Sequence, residues 1–142
     1  MIKRGDYDKS LHDRNFKVYL RYSDLSRDCW YFNKKINTRD IFLNTLKVFG
    51  ADKINVILDN SSEETLEWMK EVSSDECTII KSEFGFGGAF MLAFKSCIET
   101  MADDDIVYFL EDDYVHKPES PNIILEGLSH FDYITLLDSY YK

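Results

Sequence analysis

The chain is poor in the residues on which several kinds of protein depend. Only two prolines occur in 142 residues, Pro118 and Pro121, and only three cysteines, Cys29, Cys77 and Cys97. The cysteines are far apart, odd in number and form no C-x-x-C pair, which argues against a disulfide framework or a zinc knuckle. Reduced, mostly buried thiols in a cytoplasmic protein are expected. Cations are also scarce: 17 Lys and Arg stand against 26 Asp and Glu, a formal net charge of -9. Such a surface does not hold nucleic acid electrostatically. A phosphate-bearing ligand would need a local Arg, Lys or metal ion. No apolar run is long enough to span a bilayer, and "MIKRGDYDKSLHDRNF" has no apolar core of the kind a secretory leader needs. Internal repeats, low-complexity tracts, linkers and a G-x-S-x-G or Cys/His signature are likewise missing.

Apolar and aromatic residues, at 44% and 15%, are plentiful. They predict one folded domain with a packed core over residues 16–142, preceded by a polar arm at 1–15. "FKVYLRY" reads as a strand. A helix is expected over residues 38–49, with Phe42, Leu46 and Phe49 on one face and Gly50 as its stop. "KINVILD" is a second strand, apolar on both faces. "SSEETLEWMKEV" then forms a helix with Ser61 and Glu64 spaced as a capping box. "CTIIKS" is a third strand. The segment at about 87–101 is apolar nearly all round and reads as a buried helix. "DIVYFL" is a fourth strand, a short helix starts at Ser120 and Pro121, and "FDYITLLD" is a fifth strand. The alternation predicts an α/β fold, a Rossmann-like open and mostly parallel sheet with helices on both faces. Ligands bind such sheets outside the carboxyl ends of the strands. Arg21 to Asp24, Asp59 to Ser61, and Glu111 to Asp113 all fall at those ends.

The last of these groups is the sharpest signal. The apolar strand runs straight into three adjacent carboxylates, Glu111, Asp112 and Asp113. Like charges so placed repel, and hard cations such as Mg²⁺ or Mn²⁺ choose carboxylate oxygens. Alternation along the strand end lets only some of the three face one site. His116 reads as a solvated loop histidine rather than a ligand, and Trp30 with Tyr31 as core packing. Gly85, Gly87 and Gly88 do not complete a dinucleotide fingerprint, because position 90 is Phe and the loop follows the third strand. A receiver domain would carry its acidic pair after the first strand, which here ends in "RYSD".

"DIVYFLEDDYVHKP" resembles the strand and D-x-D-type motif of nucleotide-sugar-dependent glycosyltransferases of the A-type fold, family-two-like, with Glu as its first acid. "VILDNSSEE" resembles the second strand of the same group, and "FGFGGAFMLAFKSCIE" the glycine-containing loop and helix before the motif. The three occur in the expected order between about residues 16 and 138. The resemblance implies that Asp113 coordinates a Mn²⁺ or Mg²⁺ ion bridging the donor diphosphate. It puts Glu111 on the ribose, or on the metal through water, Asp112 near the ribose or sugar, and Asp59 on the base, uracil. Arg21 and Ser23 would line the nucleotide site. The general base in such inverting enzymes lies well after the motif, and Asp138 is the better placed of the later acids. The implied partners are a nucleotide-sugar donor and a saccharide or other hydroxyl acceptor, with homo-oligomer formation open. A non-catalytic nucleotide-sugar-binding module and a nucleotidyltransferase are the rival readings. Little chain follows the motif, which leaves two readings open: a fragment, or a minimal relative whose acceptor site is completed by another chain.

Overall fold

Four of the five apolar runs expected to be strands form one parallel sheet in the computed structural model, which describes residues 15–26, 29–31 and 34–136. They are β1 (Phe16–Tyr22), β4 (Ile54–Asp59), β5 (Thr78–Ser82) and β6 (Ile106–Glu111), in the order β5-β4-β1-β6. β1 is central: Val18 pairs with Ile54 on one side and Tyr108 on the other. Two short strands that were not foreseen, β2 (Cys29–Tyr31) and β3 (Lys34–Ile36), pair antiparallel outside this sheet. Three residues are too few to show an alternating pattern.

The helices are α1 (Thr38–Phe49), α2 (Glu63–Val72), α3 (Gly85–Thr100) and α4 (Ser120–His130). Asn37 caps α1 by accepting the Asp40 N–H at 2.8 Å, and the Gly50 N–H returns to the Leu46 carbonyl at 2.9 Å. The cap of α2 is Ser62, not Ser61: its hydroxyl accepts the Thr65 N–H at 3.2 Å. Asp24, reaching over from the end of β1, accepts the Ser62 N–H at 2.7 Å and so sets where the helix begins.

The pleat of the sheet gives each face its own core. Val18, Leu20, Tyr22, Val56, Leu58 and Leu110 point to one side and pack with Phe42 and Phe49 of α1, Met69 of α2 and Ile124 of α4. Tyr19 and Ile57 point to the other side, where Ala89 and Ala93 of α3 cover them. The expectation of a buried α3 therefore fails. Only Ala89 and Ala93 are buried, whereas Phe86, Phe90, Met91, Phe94 and Ile98 are exposed. One helix on one side of a sheet can hide one stripe, however apolar the remainder. The fifth strand fails as well: residues 131–136 form no strand, and residues 137 and 138 lie outside the described residues. Ile134 and Leu136 still pack against the larger core. Gly127 admits Ile134, since a Cβ there would lie 2.8 Å from Ile134 Cδ1.

The first turn of α3 is as tight. A Cβ on Gly88 would lie 2.4 Å from Phe84 Cβ, an atom close to the backbone that cannot swing aside. Helix propensity favours Ala over Gly by about 1 kcal/mol. Overpacking costs about 1–3 kcal/mol, so Gly88→Ala should lower rather than raise the stability read by urea unfolding.

Candidate active site

β1, β4 and β5 wind outward in one direction, and α3 then crosses back to bring β6 to the free side of β1. The strand order reverses between β1 and β6, which is where an open parallel sheet has its crevice. Arg21 and Glu111 are register partners across that reversal. Ser23 and Asp112 lie just beyond them. The sequence-predicted groups at the ends of these strands are thus brought together.

The three acids do different jobs. Asp112 turns inward, is 3% exposed and accepts the Ser23 N–H at 2.8 Å. Burial pushes its carboxyl up from the ordinary range, against hydrogen bonds from Ser23 and Ser26. Asp112 fastens the acidic turn to the end of β1. Glu111 is half-buried; burial and then the neighbouring Asp113 carboxylate raise its pKa, with Arg21 opposing. Asp113 is exposed. Glu111 and Asp113 are therefore the pair free to meet a ligand. No group of three His, Cys, Asp or Glu converges on a metal position among the described residues. Two carboxylates fit Mg²⁺ or Mn²⁺ only in the mode where phosphate and water complete the shell.

Asp59 is fully buried and its oxygens are occupied. Oδ2 accepts from Arg21 Nη2 at 3.0 Å and from Asn60 Nδ2 at 3.4 Å, while Oδ1 accepts from the Ser82 hydroxyl at 2.9 Å and the Gly85 N–H at 3.2 Å. Burial disfavours its charge, but the Ser82, Arg21 and Gly85 contacts outweigh this and hold its pKa below the ordinary value. A carboxylate has about four acceptor positions. Protein donors fill these positions, and Asp59 orients Arg21. The guanidinium also lies 5.5 Å from the ring centre of Phe86, and its Nε has no partner among the described residues. Phe86 was not foreseen as a site residue; an aromatic within the glycine loop was the available signal.

Two cavities flank this pair. One, of about 460 Å³, is walled by Arg21, Phe86, Phe90, Glu111, Tyr114 and Tyr133. The other is an open groove of about 840 Å³ at the ends of β4 and β5, with Leu25, Asn60, Ser61, Glu83 and Phe84 on its walls. Asp24 stiffens its floor by accepting from Thr65 Oγ1 at 2.8 Å as well as from Ser62. Burial works against the charge of Asp24, but these bonds prevail and lower its pKa. Asp138 lies outside the described residues, as do the side chains of Trp30 and Tyr31.

His116 is not the solvated loop histidine expected. It is 6% exposed, packs 5.1 Å edge-on to Phe49 and shares a hydrogen bond of 2.8 Å with the Tyr108 hydroxyl. Its backbone exchanges two hydrogen bonds with the Asn44 side chain of α1, at 2.8 and 3.0 Å. The loop after the acidic turn is thereby pinned to the larger core. Nothing in the local sequence marks this, because Asn44 and Phe49 are far along the chain and only the fold turns His116 back onto Tyr108.

A parallel sheet with an acidic turn at its switch point defines an open α/β domain with a crevice at its strand ends. The family model described as glycosyl transferase family 2 matches residues 31–142, and the chain belongs to that family. Its Rossmann-like architecture is that of the A-type glycosyltransferase fold, and membership supports glycosyl transfer as the general activity. Comparisons with curated proteins and with solved structures return no match. No helix among the described residues is long and apolar enough to cross a membrane.

Burial lowers the His116 pKa from its ordinary 6.5 to about 4. Between those values the unfolded chain holds a proton that the folded chain excludes. The contribution of His116 is complete above pH 6.5 and is lost as pH falls to 4, by up to about 3 kcal/mol. Urea unfolding at pH 7 and 4.5 should record the loss, and His116→Gln should show a shallower dependence. Equal slopes would mean that the ring is not held neutral.

Proposed function

We propose that the chain binds a nucleoside-diphosphate sugar across the ends of β1, β4 and β6 and transfers the sugar to a hydroxyl acceptor. The observation that carries this reading is the pairing of Arg21, held by Asp59, against the free carboxylates Glu111 and Asp113 at the switch point of the sheet. Arg21 offers guanidinium donors to the diphosphate. Ser23 lies next to it at the end of β1. The open groove beside Asn60 and Ser61 has room for the nucleoside. UDP-sugars are the donors to screen first, on the family resemblance of "VILDNSSEE". Glu111 and Asp113 would hold Mn²⁺ or Mg²⁺ together with the donor phosphates. When bound there, such an ion neutralises charge on the leaving diphosphate. Asp138 remains the proposed general base toward the acceptor hydroxyl.

Titration calorimetry with UDP-sugars, with and without Mn²⁺, tests the donor half. Mn²⁺ should tighten binding, and Asp113→Asn should weaken that effect by more than about tenfold, since losing even an outer-shell partner of a metal costs about 10–100-fold. Its unfolding midpoint should be retained, because an exposed charge next to two like charges supports nothing in the fold. An early-melting mutant and a wild type indifferent to Mn²⁺ would make the acids structural.

An acceptor panel tests the second half. A transferase consumes donor faster with a suitable acceptor, and Asp138→Asn should remove most of that gain. Donor binding with slow hydrolysis and no transfer would identify a donor-binding module instead. Acceptor-stimulated turnover that survives Asp138→Asn assigns the base elsewhere.

A further inference from the structure

α3 is apolar over more of its circumference than the sheet can cover. Ala89 and Ala93 face Tyr19 and Ile57. Beside that stripe, Phe86, Phe90, Phe94 and Ile98 form one i, i+4 ridge, with Met91 next to it and Phe84 at its start; Phe90 and Phe94 rest one edge on Phe109 of β6 and leave the remainder exposed. These six side chains are between 44% and 69% exposed. At about 200 Å² for a large side chain they present roughly 700 Å² of apolar surface. The largest patch on an ordinary monomer is about 300–600 Å². Two such faces together would bury roughly 1,400 Å², inside the range of about 1,200–2,000 Å² found in stable specific interfaces.

Charge narrows the choice of occupant. The chain carries a net -9, but α3 carries one lysine, Lys95, and one glutamate, Glu99. Copies meeting elsewhere bring acidic surfaces together, whereas this face adds no such repulsion. A helix that lies in a membrane surface carries several Lys or Arg on its polar side. α3 has Lys95 alone, and Asp103, Asp104 and Asp105 follow it, a sequence that anionic headgroups repel. Phe and Met are also the residue types enriched in the centres of protein interfaces.

We propose that the outer face of α3 is the interface of a homodimer, with its ridge packed against the same ridge of a second copy about a two-fold axis. The proposal does not rest on the proposed function. Phe86 and Phe90 belong both to this ridge and to the wall of the 460 Å³ cavity, so the second copy would lie over the mouth of that cavity.

Sedimentation equilibrium of the full chain from about 1 to 100 µM reads the outcome. The mass should rise toward twice the 16.7 kDa of one chain. Met91→Glu combined with Ile98→Glu, both exposed and away from the cavity, brings four carboxylates to the seam and should raise the dissociation constant at least about tenfold. Ile98→Arg alone gives the same reading should the double variant fold poorly. Ile123→Glu, exposed on α4, should leave dimerisation unchanged. A wild type that stays monomeric throughout, or a dimer that survives both ridge variants, overturns the proposal. A monomer that co-sediments with phosphatidylcholine vesicles would assign the face to lipid and overturn it too.

Discussion

The buried carboxylate of Asp59 is the constraint on which the rest of the site depends. It stands at the end of β4 and receives hydrogen bonds from Arg21 of β1, Ser82 at the end of β5 and the first N–H of α3. A buried charge left without partners costs several kcal/mol. These elements must therefore arrive together, and each fixes the others. The turn into α3 is set by the Gly85 contact, with Gly85 at φ 72°. Arg21 is held from below by Asp59 and from the side by Phe86, so its direction is decided before any ligand arrives. Such preorganisation lowers the ordering cost of binding.

The acidic turn shows how like charges can be tolerated. Asp112 is drawn inward by a backbone donor of β1, leaving Glu111 and Asp113 on the open side. His116 then closes the loop from beneath, through Asn44 of α1 and Tyr108 of β6. The turn is fixed at both ends, by Asp112 on the Ser23 N–H and by His116 on Asn44 and Tyr108.

Much of this was legible in the residues, and the limits are physical. β1 and α1 were read with the bounds they have, because Phe16–Tyr22 and Thr38–Phe49 combine strong periodicity with clear stops. The location of the crevice followed from polar groups at strand ends. What could not be read was the division of labour within it. Asp59 and Asp112 are chemically suited to ligands, and only tertiary geometry shows that protein donors already occupy them. His116 reads as polar and local but is held by residues from β6 and α1. α3 was misread for the opposite reason. Its composition reports how apolar a helix is, not how many neighbours surround it. Residues 131–136 are apolar enough for a strand, yet Ile134 is drawn onto Gly127 of α4.

The central place of β1 has a consequence for how the chain is made. β1 precedes its sheet neighbours in the chain, and they come much later: Phe16 pairs with Ile106, and Val18 pairs with Ile54. Long-range parallel pairing of this kind forms slowly, because a long loop must close before any contact rewards it. On a ribosome, the edge of β1 that β6 covers must wait open until Ile106–Glu111 has emerged. That interval is when a strand like this is most exposed to the wrong partner, and a chaperone is most useful.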